Sequence, residues 1–151
     1  MVHADSSNFA SGVTKEEAYK QVLEQAEALL EGFYVLDPKS SSSSTSKRQL
    51  ILGPFQGKVA CQTILFGRGV CGTAASSKET QLVPDVEAFP GHIACDGDSK
   101  SEIVVPILRS GGEGDVVAII DIDCAELNGF DEVDQIWLEK LAVLLAAACD
   151  W

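Results

Sequence analysis

Three of the five cysteines stand in settings where a thiol could do chemistry. Cys71 follows the glycine-rich turn Gly67-Arg-Gly-Val, which reads as the opening of a short helix whose free N-terminal amides and dipole favour a thiolate. The same position would also suit a small buried hydrophobe. Cys95 lies in the polar loop Phe89 to Gly97, beside Asp96 and three residues after His92. A thiol there is accessible, and His92 could assist its ionisation, unless His92 is an idle surface histidine. Cys61 falls in Lys58-Val-Ala-Cys-Gln-Thr-Ile64, a β-rich run where a cysteine serves equally well as packing. Cys124 and Cys149 end apolar stretches and read as core or incidental residues.

A second group is acidic. Asp121 and Asp123 alternate along one apolar strand and so project to the same face, with Ile122 on the other. Glu102 stands at the start of the preceding strand. Carboxylates beside apolar runs are costly unless solvated or paired, which makes these three candidates for holding a cationic ligand group. The alternative is that they mark where the strands meet water. A metal site built from Cys61, Cys71, His92 and Cys95 is disfavoured, because zinc ligand sets usually contain a closely spaced pair and only His92-x2-Cys95 comes near. No metal is expected on that spacing.

The elements that must position these residues follow from periodicity and punctuation. Residues 1–13 lack periodicity and read as a flexible tail, leaving 14–151 as a single domain. Thr14-Lys-Glu-Glu17 fits a capping box, and Ala18, Val22, Ala26 and Leu29 recur at helical spacing, so a helix is expected to about Leu30, stopped by Gly32. Gly32 to Leu36 reads as a strand and the serine run Ser40 to Ser44 as a flexible connection. Gln49 to Phe55 and Lys58 to Ile64 read as antiparallel neighbours, followed by the short helix after Gly67 and a strand over Gln81 to Asp85. Ser101 to Leu108 and Asp115 to Asp123 are continuous apolar runs and belong centrally in a sheet. A final helix begins near Phe130, with Val133, Trp137, Leu141, Leu144 and Ala148 as its stripe. The class is α+β, a mostly antiparallel sheet between N- and C-terminal helices.

Composition narrows the partners. The formal net charge of -12 repels phosphate backbones and anionic lipid headgroups, so nucleic acid and membrane surfaces are excluded. The longest apolar run, Leu141 to Cys149, is too short to span a bilayer, and the first residues lack a cationic, then apolar, leader. An odd cysteine count in a chain able to build a core argues against a disulfide framework, hence for a reducing, cytoplasmic or nuclear setting.

Longer motifs add a resemblance. Gly53-Pro-Phe-Gln-Gly-Lys-Val-Ala-Cys61, Gly67-Arg-Gly-Val-Cys-Gly-Thr-Ala-Ala75, Val83-Pro-Asp-Val-Glu-Ala-Phe-Pro-Gly-His-Ile-Ala-Cys-Asp96 and Ser101-Glu-Ile-Val-Val-Pro-Ile107 together resemble the free methionine-(R)-sulfoxide reductases, a family built on a GAF domain. The resemblance implies a GAF-like fold and thiol-dependent reduction of free methionine-(R)-sulfoxide through a sulfenic acid and an intramolecular disulfide. It implies no bound cofactor, electrons from thioredoxin or another dithiol, and compatibility with a homodimer. By similarity Cys95 takes the nucleophile position and Cys71 and Cys61 the resolving positions. Glu102, Asp121 and Asp123 match the acids that receive the substrate amino group and the sulfoxide oxygen, and Tyr34 an aromatic wall around the substrate methyl. A GAF module that binds a small ligand or senses redox state without turnover is the alternative, since the fold serves both purposes.

The chain departs from the family in one place. Members carry a further helix and a strand with a pocket tryptophan before the Gly-Phe-Tyr strand, whereas here Ala28-Leu-Leu-Glu31 runs straight into Gly32 and Leu30 stands at the tryptophan position. Lower stability and weaker activity are the expected consequences, because a lost covering helix exposes apolar sheet surface at about 25 cal/mol per Å2.

Overall fold

The structure, a computed structural model, describes residues 14–17, 34–41, 48–55, 60–93, 97–109 and 114–151. The expected tail, most of the first helix, Leu30, Gly32, Ser42 to Ser44 and Cys95 lie outside the described residues. At the start of that helix the capping box forms: the Glu17 amide donates to Thr14 Oγ1 at 3.2 Å and the Thr14 amide to Glu17 Oε2 at 3.0 Å.

Six strands form one sheet in the order β3-β2-β1-β6-β5-β4, all neighbours antiparallel: β1 (Tyr34–Leu36), β2 (Gln49–Leu52), β3 (Thr63–Leu65), β4 (Gln81–Val83), β5 (Ser101–Leu108) and β6 (Val116–Cys124). The two continuous apolar runs pair along their whole length as β5 and β6, inside the sheet as their composition requires. Pro106 lies in β5 beyond the end of β4, where the outer edge has no ladder to break. Beyond the helix start at residues 15–17 and a 3-10 turn at Val86–Ala88, three α-helices are described: the single turn α1 (Pro38–Ser41), α2 (Gly69–Ser77) and α3 (Glu132–Ala148).

Strand alternation splits the core in two. On one face Tyr34, Leu50, Val104 and Ile119 pack with Val70, Cys71 and Ala74 of α2. On the other, Ile103, Val105, Ile107, Ala118 and Ile120 pack with Phe130 and with Leu138, Ala142 and Leu145 of α3. The opening of α3 is pinned by a capping box between Asp131 and Asp134, to which Lys15 adds ion pairs of 3.2 and 2.6 Å.

Several expectations are corrected. The connection after Asp37 begins with α1, where Asp37 caps through its side chain to the Lys39 amide at 2.9 Å, rather than with an open loop. Cys61 precedes β3 instead of lying in a strand, because regular pairing with β2 starts only at Thr63. The buried stripe of α3 is Asp134, Leu138, Ala142 and Leu145, one residue out of phase with the expected one, and Val133 is exposed. That helix is apolar almost all round, so periodicity fixes its existence but not its phase.

Candidate active site

The site is built where the first turn of α2 meets the polar end of the β5–β6 ladder. Gly67 and Gly69 adopt φ of 79° and 65°, which lets the chain turn sharply out of β3. Gly72 is pressed onto the end of β3: a Cβ there would collide with the Leu65 carbonyl oxygen, while the Gly67 amide donates to the Gly72 carbonyl at 2.6 Å. This seam seats Cys71 in the core, where it is 9% exposed.

Register delivers the acids to the same place. Glu102 pairs with Asp123 across the ladder and Val104 with Asp121, so all three carboxyls share the α2 face. The Cys71 thiol donates to Glu102 Oε1 at 3.5 Å. One donor atom each from Cys71, Glu102 and Asp121 lies within 4.8 Å of the others. Asp121 Oδ1 is buried and has no hydrogen-bond partner among the described residues. Asp123 is exposed and accepts from Ser99 Oγ at 2.6 Å. The strand-end reading therefore suits Asp123 but not Asp121, whose oxygen points into protein.

Tyr34 pairs with Ile119 in β6 and is buried on the same face. Its hydroxyl is hydrogen-bonded to the backbone of Cys61. Cys61 is disulfide-bonded, whereas Cys71, Cys124 and Cys149 are free thiols. His92 is half-buried, its amide donating to the Phe89 carbonyl at 3.1 Å. Ile93, two residues before Cys95 in the chain, stands where a Cβ on Gly69 would touch it at 3.7 Å.

Burial sets the electrostatics. Desolvation, with Asp121 and then Glu102 nearby, pushes the Cys71 thiol well up, the reverse of the thiolate expected at a helix start. Two carboxyls and an apolar seat outweigh the helix dipole. Burial, then Asp121 and Asp123, pushes Glu102 up to about 9. Burial, then Asp123, raises Asp121 to about 6. Tyr34 is likewise held protonated, by burial first and then by Asp121. At neutral pH the cluster thus carries a proton on Glu102 beside an ionised Asp121, a donor next to an unsatisfied acceptor. Such a pair can hold an ammonium group and give up a proton to a departing oxygen.

Alternation in the sequence places Asp121 and Asp123 on one face of a strand, and the fold brings Glu102, Cys71 and Tyr34 to that same face. Sequence reasoning missed Ser99, for which the only sequence signal is a hydroxyl residue just upstream of β5, and the bond from Cys71 to Glu102, which depends on how α2 docks.

These features define a class, and comparison bears it out: the chain belongs to the GAF domain family, whose profile matches residues 13–150. A solved GAF domain superposes with a TM-score of 0.81 at 45% identity, covering 100% of this chain and 98% of that one. Within the class the chain belongs with the free methionine-R-sulfoxide reductases. It is 48% identical to the Saccharomyces cerevisiae member over 171 aligned positions, covering 97% of this chain and 94% of the relative. The Neisseria meningitidis member, solved in complex with its substrate, is 35% identical with a TM-score of 0.78, over 97% of this chain and 95% of that one. An alignment of 171 positions exceeds the 151 residues present, so it opens gaps in this chain.

Proposed function

We propose that this chain reduces free L-methionine-(R)-sulfoxide to methionine. The observation that carries the reading is the buried, unpartnered Asp121 Oδ1 beside the proton-bearing Glu102. An amino-acid ammonium satisfies the first, and the second can protonate the sulfoxide oxygen as its bond to sulfur breaks. Asp123 assists at the open side, and Tyr34 forms an apolar wall for the methyl group.

Cys95 is the nucleophile: its sulfur takes up the oxygen as a sulfenic acid while methionine leaves. Cys61 or Cys71 then attacks that sulfur, a disulfide forms and water departs. A thioredoxin-type dithiol reduces the disulfide by exchange, so the two electrons come from outside the chain and no bound cofactor takes part. The free thiol of Cys71 and the disulfide-bonded Cys61, each interacting with Tyr34, support exchange chemistry at this corner. So does the packing of Ile93 over Gly69, each two residues ahead of a cysteine. A cytoplasmic or nuclear setting and a homodimer accompany the reading. Among the described residues no helix is long and apolar enough to cross a membrane.

Incubation with racemic free methionine sulfoxide and dithiothreitol, followed by epimer-resolved chromatography, tests this. Loss of the R epimer alone, abolished in Cys95→Ser, is expected. An R epimer that persists with the unaltered chain would move the assignment to a GAF module without turnover.

A further inference from the structure

We propose that Cys71, Glu102 and Asp121 also form an inhibitory site for a thiophilic divalent cation of the zinc class. Ligands close in sequence do not exist here, yet the docking of α2 on the β5–β6 ladder gathers one sulfur and two carboxylate donors within 4.8 Å of one another. Tetrahedral zinc with bonds of about 2.3 Å to sulfur and 2.0 Å to oxygen has a sulfur-to-oxygen edge of about 3.5 Å. Cys71 Sγ and Glu102 Oε1 already stand 3.5 Å apart. The buried Asp121 Oδ1, without a partner among the described residues, is a separate sign that the cluster awaits an electropositive group.

The donor set fixes the class of ion. Magnesium and calcium take oxygen ligands, whereas one thiolate with two carboxylates suits zinc, cobalt or cadmium. Binding forms three metal–ligand bonds and releases the thiol proton and the Glu102 proton to solvent, with no change of oxidation state. Three protein ligands leave a fourth position for water. The net charge of -12 raises the local cation concentration.

The competitive part of this inference rests on the proposed function, because the ion would occupy the seat given there to the substrate ammonium. Zinc would then lower turnover at least 10-fold at saturation, and a chelator would restore it.

Titration of the full chain with Co2+, read by absorption, tests the site without reference to turnover. The expected result is one bound equivalent with a thiolate-to-cobalt charge-transfer band. Cys71→Ser should remove the band and Asp121→Asn should weaken binding at least 10-fold. Cys61→Ser and the double variant Cys124→Ser, Cys149→Ser should leave it intact. No thiolate band in the unaltered chain, a spectrum that needs no variant to fold, overturns the site. So does a band that survives Cys71→Ser in a variant whose thermal melt shows it folded. Adding free methionine-(R)-sulfoxide separates the two readings: displacement of cobalt supports shared occupancy. A band unmoved by substrate that is nonetheless turned over overturns the competition, and R-epimer turnover with no band removes the metal site alone.

Discussion

The two faces of one β-ladder have opposite chemistries. Toward α3, β5 and β6 present Ile103, Val105, Ile107, Ala118 and Ile120, sealed by Phe130, Leu138, Ala142 and Leu145. Toward α2 the same strands offer Val104 and Ile119 and then, at one end, Glu102, Asp121 and Asp123 around a buried thiol. Period-two alternation lets each strand serve both purposes. The lesson is a division of labour: stability should reside on the α3 face, and the α2 face should sacrifice stability for a poised acid cluster.

The division predicts opposite responses to substitution. Asp121→Asn should lower kcat/KM for free methionine-(R)-sulfoxide about 100-fold to 1000-fold, the scale of losing one preorganised electrostatic contact, while the denaturation midpoint stays level or rises. A drop in both would break the comparison. Leu145→Ala, 1% exposed in the α3 core, should cost about 3 kcal/mol in urea unfolding yet leave kcat/KM of the folded protein unchanged.

The pH response sharpens the contrast. Folding raises Glu102 from its ordinary 4.5 to about 9, so between those values the folded chain binds the extra proton and stability falls as pH rises. Below 4.5 both states are protonated and the full stability is present. Glu102→Gln should flatten the slope between pH 5 and 8 by about 1 kcal/mol per pH unit, measured by urea melts. An unchanged slope would place the burial penalty elsewhere. Smallest of all, Val143→Ser on the outer side of α3, 71% exposed, should shift stability by no more than about 0.5 kcal/mol.

Much of this was legible in the sequence. Alternation of Asp121, Ile122 and Asp123 fixed which face the acids share, and the two unbroken apolar runs identified β5 and β6. Local chemistry also located the Thr14 cap and the glycine turn before α2. What escaped depended on tertiary docking. The phase of α3 was hidden because Val133, Ile136, Val143 and Leu144 are as apolar as the residues that turned inward. A helix start that favours a thiolate at Cys71 is visible in sequence, as is the alternative of a small buried residue, whereas two carboxyls arriving from a distant hairpin are not. The place of Cys61, two residues ahead of β3, has the same origin: a β-rich run cannot say where its partner strand begins.

The hairpin that carries the acids has a consequence for the order of folding. Only residues 109–115 separate β5 from β6 in the chain, so Glu102, Asp121 and Asp123 meet through local closure, on the order of microseconds for a hairpin. The Lys15–Asp134 ion pair closes 119 residues and can form only after the chain between has collapsed. The acid cluster is thus assembled early, by a unit that does not wait for the chain's beginning. A change confined to the chain before β1 would therefore act on the last step of folding and leave the first one to proceed as before.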